Sequence, residues 1–176
     1  MLKRVYLSLG SNLGDRAAHL NAAIDRLGKL GKVVAVSSFY ETAPVEFTAQ
    51  PWFLNCALAL DTELMPRQLL AATLDIEKKL GRRRVQKKGP RTLDIDILLF
   101  GNSIVKGKGL TIPHPALHLR RFVLEPLVEI APEARHPVFK RTARELRDAL
   151  PPGQTVERTS DLGPRTSDGG RQTSDF

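Results

Sequence analysis

The sequence has few of the features that a secreted or membrane-embedded protein needs. Its 176 residues include one cysteine, Cys56, which excludes an internal disulfide and a zinc site built on cysteines. No apolar run is long enough to span a bilayer. The alternating start at Val5–Leu9 is broken by Gly10, so it predicts a β-strand rather than a signal peptide. We therefore expect a protein of the reducing cytosol, with no membrane partner.

Acidic residues are missing from the most basic stretch of the chain. The net charge is +8, from 27 lysines and arginines against 19 acidic residues, and such an excess favours an anionic partner. Residues 78–91 contain eight basic residues and no acidic one. A solvated charged loop is one interpretation. Arginines at the centre of the run favour another, because arginine binds phosphate in a bidentate manner.

Hydrophobic periodicity predicts an α+β protein. The 41% hydrophobic content is enough for a core, which excludes wholesale disorder. The predicted order through residue 100 is strand, helix, strand, strand, helix, strand. These elements cover residues 5–10, 13–30, 33–40, 52–61, 66–80 and 93–100, with Asn12 as the first helix cap. The order is that of the ferredoxin-like split βαβ fold, an antiparallel sheet with both helices on one face. Short helices are predicted to follow at 124–131 and 142–150.

The composition divides the chain near residue 150. Residues 1–150 are predicted to form one domain. Residues 151–176 contain few large apolar side chains and repeat the pattern Arg-Thr-Ser-Asp. Because such a segment has little to bury, we expect it to be a low-complexity, disordered tail.

Asp94 and Asp96 form the clearest chemical signal. On a strand, residues two apart point to one face with their Cα atoms roughly 6.5–7 Å apart, so both carboxylates can bind one metal ion or bracket a pair. Carboxylate oxygens suit Mg²⁺, which also keeps waters and phosphates as ligands. An amphipathic strand in contact with water is the alternative. Because Leu98 and Phe100 are predicted to continue the same face, while Leu99 faces the core, a cleft explains the pattern better.

The neighbouring residues favour phosphate chemistry. A basic segment directly before an acidic strand would place cations and metals around one anion, as phosphoryl transfer requires. The P-loop pattern is absent, so a P-loop enzyme is excluded. His114, between two prolines, is either packed for shape or functional. Asn55 interrupts an apolar face beside Phe53, and its amide bonds either the local backbone or the edge of a polar heterocycle.

Four separated segments resemble the 6-hydroxymethyl-7,8-dihydropterin pyrophosphokinase family. The most specific is Gly89–Gly101, with the sequence GPRTLDIDILLFG, and the others are Gly10–Gly14, Ser37–Thr42 and Pro113–Pro115. The resemblance extends from about residue 3 to about residue 150. It implies the ferredoxin-like fold that periodicity also predicts. It further implies transfer of diphosphate from ATP to the hydroxymethyl group of the pterin, with release of AMP, in tetrahydrofolate biosynthesis.

The resemblance also implies a set of site residues. It implies that Asp94 and Asp96 hold two Mg²⁺ ions, and that Arg82 and Arg91 join them as catalytic residues on or beside a closing arm. The implied ATP-binding residues are Glu77, Arg82, Arg84, Arg91, Ile97, Thr111, His114 and Arg120. The implied pterin-binding residues are Thr42, Val45, Phe53, Asn55 and Phe122. We name no general base, and we expect a monomer.

A metal-dependent nucleic-acid enzyme or binder is the alternative function. A ferredoxin-like sheet with paired acids and a basic arm also describes polymerase palms. Nucleic acid, however, demands an extended basic surface, whereas the positive charge of this chain is concentrated in one short segment. The aromatic pattern of RNA-binding sheets is not found either. We therefore expect no nucleic-acid partner.

Overall fold

The computed structural model describes residues 1–43, 50–81 and 92–159. In chain order its elements are β1 (Lys3–Ser11), α1 (Arg16–Leu27), β2 (Lys32–Val36), β3 (Tyr40–Thr42), β4 (Phe53–Thr62), α2 (Pro66–Lys79), β5 (Asp94–Phe100), β6 (Val105–Gly107), β7 (Leu110–Ile112), α3 (Arg121–Ile130), α4 (Ala143–Asp148) and β8 (Val156–Arg158). A 3₁₀ turn, Leu117–Leu119, precedes α3. Among the described helices, none has both the length and the apolar character that a membrane span requires.

A six-stranded sheet forms the centre of the molecule. Its strands follow the order β5-β1-β4-β3-β8, and β2 pairs with a further part of β4. Every pairing in this sheet is antiparallel. Strands β6 and β7 form a separate antiparallel ribbon. The prediction of an α+β protein with an antiparallel sheet is therefore confirmed.

Helices pack on both faces of the sheet. On one face, α1 and α2 bury side chains such as Leu20, Leu27 and Leu69 against Leu7 and Leu58 in the main core. On the other face, α3 and α4 build a second apolar cluster over β4 and β5. Its members are Ala57, Leu98, Leu99, Leu117, Val123, Leu124, Leu127, Ala143 and Leu146. Successive side chains of a strand point to opposite faces of the sheet, so the two clusters lie on opposite sides of it.

A β-bulge in β5 overturns part of the predicted strand pattern. Tyr6 lies opposite Leu99 and Leu7 lies opposite Ile97, so Leu98 is the extra residue. The extra residue changes the alternation of the strand beyond it. Phe100 therefore joins the main core, and Leu99 joins the second cluster. The predicted faces of Phe100 and Leu99 were both wrong, because a bulge depends on the partner strand and has no signature in β5 itself.

The first helix begins later than predicted. Asp15 is its cap, with a side-chain oxygen that accepts the Ala18 N–H at 3.1 Å. The predicted cap, Asn12, instead donates its side-chain amide to Gln50 Oε1 at 2.7 Å and to Pro51 O at 3.0 Å. The prediction for Asn12 was therefore wrong: long-range partners hold its side chain, and Asp15 supplies the capping oxygen.

The predicted strand over 33–40 is divided into β2 and β3. Between them, the Ser37 hydroxyl oxygen accepts the Ala57 N–H at 2.8 Å, so this side chain takes the place of a backbone acceptor in the strand pairing. Towards the other end of the chain, β8 pairs with β3, with Val156 opposite Thr42. The structure thus differs from the predicted start of the tail at residue 151, since sheet pairing continues to Arg158. Residues 160–176 lie outside the described part.

Candidate active site

Polar residues occupy one end of the sheet face on which α3 packs. Strand pairing places Gly10 opposite Asn55 on one side and opposite Asp94 on the other, and places Ser8 opposite Asp96. Paired residues share a face, and neighbouring strands lie about 4.8 Å apart. The Cα atoms of Asn55 and Asp94 are therefore about 10 Å apart across Gly10. We call these five residues the polar strip.

Gly10 provides the space at the centre of the polar strip. A Cβ atom at this position would lie 2.5 Å from Asn55 Oδ1 and 3.8 Å from Phe53 Cδ1. Contacts as short as the first are essentially never found for real Cβ atoms. A side chain at position 10 would therefore displace the Asn55 amide.

Asn55 is held on the opposite side by Thr42. The Asn55 side-chain N–H donates to Thr42 Oγ1 at 2.6 Å, and both residues are buried. Phe53, half-buried, lies opposite Thr42 in the β3–β4 pairing. Three of the predicted pterin residues, Thr42, Phe53 and Asn55, are thus brought together. Because the bond to Thr42 uses an N–H, the orientation of the Asn55 amide is fixed.

The strand that carries both aspartates is fixed from α2. Glu77 is only 4% exposed, and its Oε2 accepts the Ile95 N–H at 2.6 Å. Ile95 lies between Asp94 and Asp96 on β5, which is the last strand on its side of the sheet. Its edge N–H would otherwise have no strand partner. Glu77 therefore fixes the backbone from which both aspartates project.

The donor set at β5 suits a hard divalent cation. Asp94 and Asp96 are half-exposed, and both offer only oxygen ligands. Over the described ranges, no group of three or more acidic, histidine or cysteine side chains forms a metal site. Two carboxylates fit Mg²⁺, which is usually bound through one or two carboxylates together with substrate phosphates and water.

His114 lies beside the same strand as a neutral imidazole. The backbone N–H of His114 donates to Leu98 O at 3.0 Å, and its ring Nδ1 accepts the Ala116 N–H at 3.1 Å. Burial and, to a smaller extent, the charge of Arg120 lower the pKa of His114 to about 4, against an opposing effect of Asp94. With Nδ1 used as an acceptor, the proton of the neutral ring lies on Nε2. His114 can therefore donate one hydrogen bond to a ligand.

Arg120 and Phe122 lie next to each other at the start of α3. The Arg120 Cζ atom lies 5.5 Å from the centre of the Phe122 ring, a cation–π contact. Arg120 also lies near enough to His114 to lower its pKa. A predicted nucleotide residue and a predicted pterin residue therefore adjoin each other.

Among the other predicted residues that the structure describes, Ile97 lies away from the polar strip. The Ile97 side chain is 6% exposed and belongs to the main core, on the opposite face from Asp94 and Asp96. Thr111 is exposed on β7. The remaining predicted residues, Val45, Arg82, Arg84 and Arg91, lie outside the described residues.

A hydrogen bond joins Gly81 and Thr92, the two described residues that border residues 82–91. The Thr92 hydroxyl donates to Gly81 O at 3.1 Å, which connects the end of α2 to the start of β5. Gly81 and Thr92, the described residues on either side of 82–91, therefore lie next to each other at the start of the aspartate strand.

Several residues that support the predicted pterin residues were not predicted from the sequence. Arg16 binds both carboxylate oxygens of Glu41, at 2.7 and 2.6 Å, and also donates to Trp52 O at 2.9 Å. Asn12 and Gln50 add the buried amide pair described above. Asn12 and Glu41 belong to two of the recognised segments, so their presence in those motifs was the available signal.

A second supporting contact involves α3. Glu129 accepts hydrogen bonds from the Ser38 N–H at 2.8 Å, from the Ser38 hydroxyl at 3.0 Å and from the Tyr40 hydroxyl at 2.6 Å. Burial and this carboxylate raise the pKa of Tyr40. The contact ties β3 to the helix that carries Phe122 and explains the Ser-Ser-Phe-Tyr motif in structural terms.

The fold and the polar strip define a small α+β enzyme whose candidate active site lies at one end of its sheet. Comparison with known proteins identifies the family. The chain belongs to the 7,8-dihydro-6-hydroxymethylpterin-pyrophosphokinase family, whose model matches residues 6–132. The predictions of the family and of an enzyme with pyrophosphokinase activity are confirmed.

Individual relatives give the same result. The chain is 48% identical over 134 residues to the 2-amino-4-hydroxy-6-hydroxymethyldihydropteridine pyrophosphokinase of Methylorubrum extorquens, covering 75% of this chain and 85% of the relative. It is 40% identical over 143 residues to the enzyme of that name from Aquifex aeolicus, covering 81% and 89%. The wild-type HPPK-DHPS of Plasmodium falciparum has a similar fold, with a TM-score of 0.68 at 18% identity over 84% of this chain and 43% of that chain.

Proposed function

We propose that this chain transfers diphosphate from ATP to the hydroxymethyl group of 6-hydroxymethyl-7,8-dihydropterin, a step of tetrahydrofolate biosynthesis. The hydroxyl oxygen forms a bond to the β-phosphorus of ATP, the bond from that phosphorus to the α,β-bridging oxygen breaks, and AMP leaves. The hydroxyl proton is released. The observation that carries the proposal is the placement of Asn55 and Asp94 on either side of Gly10. One side of the strip suits a flat heterocycle, and the other suits a metal-bound phosphate.

The pterin would lie on the Asn55 side. The Asn55 N–H is used by Thr42, so Oδ1 is the atom directed at position 10. A carbonyl oxygen there can accept an N–H from the edge of the pterin ring. Phe53 and Phe122 would stack on its faces. Val45 completes this set by family resemblance.

The triphosphate would lie on the Asp94 side. Asp94 and Asp96 would hold two Mg²⁺ ions, which when bound neutralise phosphate charge and align the reacting groups. His114 would donate its Nε2–H to an anionic oxygen, and Arg120 would add a positive charge. By resemblance, Arg82, Arg84 and Arg91 bind phosphates as the basic segment closes, and Thr111 and the Ile97 backbone line the nucleotide site.

We further infer that the fold is ferredoxin-like and that the chain acts as a cytosolic monomer. The order β5-β1-β4-β2 around α1 and α2 supports the fold assignment. The alternative of a nucleic-acid enzyme gains no support from the family match.

The function is tested by product analysis. Purified protein is incubated with ATP, MgCl₂ and the pterin alcohol, and the nucleotides are separated by chromatography. We expect AMP and the pterin diphosphate in equal amounts, and no product after addition of EDTA until Mg²⁺ is restored in excess. Formation of ADP, or no pterin-dependent turnover, contradicts the proposal.

Variants of the aspartates test the metal assignment. Asp94→Ala and Asp96→Ala should each lower kcat by about 100-fold or more, because electrostatic stabilisation of the transition state is lost. Asp25→Ala, at an exposed position on α1, is the matched control and should retain wild-type turnover. Wild-type kcat in either β5 variant would disprove the assignment.

A further inference from the structure

The last described segment, residues 154–159, contacts two parts of the candidate active site. Its strand β8 pairs with β3, and the Ala43 N–H donates to Thr155 O at 3.3 Å. Thr42, which holds Asn55, is opposite Val156 in this pairing. The segment therefore supports one wall of the predicted pterin pocket.

Gln154 connects the segment to the other wall. Its Oε1 accepts the Arg121 N–H at 2.7 Å, and its Nε2 donates to Leu119 O at 2.9 Å. The two backbone groups belong to the peptide units on either side of Arg120. One side-chain amide thus fixes the backbone before and after a predicted nucleotide residue, whose φ and ψ of −119° and 111° are extended.

Helix α3 depends on this contact at its start. The first N–H groups of a helix have no partner within it and need another acceptor. Arg120 occupies the cap position of α3, but its side chain makes no capping bond. Gln154, 33 residues away in sequence, supplies the acceptor for the Arg121 N–H. The first turn of α3, which carries Phe122, is therefore oriented by Gln154, a residue near the end of the described chain.

We propose that Gln154 is a positioning residue that sets the directions in which Arg120 and Phe122 face ATP and the pterin. The inference rests on the proposed function and extends it to a residue beyond the part matched by the family model, which ends at residue 132. Gln154 touches neither substrate in this proposal. It acts through the backbone of α3.

The first test is the variant Gln154→Ala in the full-length chain. We expect the KM values for ATP and for the pterin to rise about fivefold, the effect of one lost helix cap, with kcat changed less than twofold. Gln68→Ala is the matched control. Gln68 Oε1 accepts the Met65 N–H at 2.8 Å at the start of α2, about 13 Å along the helix from Glu77. It should lower thermal stability to a similar degree and leave both KM values unchanged.

Two further variants separate positioning from general stability. Gln154→Glu keeps an acceptor for the Arg121 N–H but loses the N–H that donates to Leu119 O, so its KM values should also rise. In an Arg120→Ala background, Gln154→Ala should add nothing to the ATP KM, because its effect passes through that side chain. The proposal is overturned if Gln154→Ala leaves both KM values unchanged, if Gln154→Glu keeps wild-type KM values, or if the effects with Arg120→Ala multiply.

Hydrogen exchange tests the contact without using activity. The Arg121 amide should exchange slowly in the wild-type protein and about fivefold or more faster in Gln154→Ala, when followed by NMR. Equal exchange rates would overturn the proposal. A wild-type protein that forms no AMP would instead contradict the proposed function, and the exchange result would still decide the role of Gln154.

Discussion

Replacing Gly10 by alanine is the sharpest test of the polar strip, because it changes one methyl group between its two halves. The new Cβ atom would lie 2.5 Å from Asn55 Oδ1, whereas ordinary contacts begin at 3.4 Å. The Asn55 side chain must therefore move by about 0.9 Å if the backbone stays in place. Strand β1 is paired on both sides, so its backbone is held in place.

The size of the effect follows from the bond to Thr42. That bond is 2.6 Å long, and a shift of about 0.9 Å takes it past the usual limit of about 3.2 Å. Breaking a hydrogen bond between buried groups costs about 1–3 kcal/mol. At about 2–4 °C per kcal/mol for a chain of this size, we expect the melting temperature to fall by about 2–12 °C. Because the displaced amide is the group proposed to accept a hydrogen bond from the pterin edge, the dissociation constant for the pterin should rise about tenfold or more.

The assay is a fluorescence titration of the pterin, with a parallel calorimetric titration of an ATP analogue. Gly28→Ala is the matched control, since Gly28 has an ordinary helical backbone at the end of α1 and lies far from the strip in the sequence. Only Gly10→Ala should weaken pterin binding, and nucleotide binding should change less than twofold. A folded Gly10→Ala protein with wild-type pterin affinity would refute the reasoning.

Two further predictions concern the nucleotide side. Glu77→Ala leaves the Ile95 N–H without its acceptor, so the free energy of unfolding should fall by about 1–3 kcal/mol. Turnover should fall as well, because the two aspartates shift. Glu77→Gln keeps an acceptor and should retain more of the stability and more of the turnover. An unfolded histidine binds a proton below about pH 6.5, but native His114 does so only near pH 4, so acid favours unfolding. Between pH 7 and pH 5, metal-free wild-type protein should lose about 1 kcal/mol more stability in urea than His114→Gln, after allowance for solvent screening. Equal losses, or wild-type stability in Glu77→Ala, would contradict these assignments.

Local patterns were enough to predict much of the fold. Pro66 opens α2 as predicted, since proline suits the first helical position. The alternation in Val5–Leu9 and in β4 located two central strands. The pair Asp94 and Asp96 could also be predicted to share a strand face before the bulge, because alternation over two residues requires no knowledge of the partner strand.

Features set by distant partners could not be predicted in this way. The bulge at Leu98 depends on the register with Tyr6 and Leu7. The side-chain amide of Asn12 donates to Gln50. The start of α3 is capped by Gln154, which lies 33 residues after Arg121. Each of these contacts joins residues far apart in sequence, so no local propensity records them.

The hydrogen bond between Thr92 and Gly81 has a consequence for the diversification of this scaffold. It fixes the entry and exit points of a ten-residue stretch, from Arg82 to Arg91, independently of what lies between them. Doubling the length of a loop costs only about 0.6 kcal/mol of closure entropy. Insertions or deletions between these two anchors should therefore leave the sheet intact, so the length of this stretch can vary between related sequences as long as the arginines proposed to bind phosphate are kept.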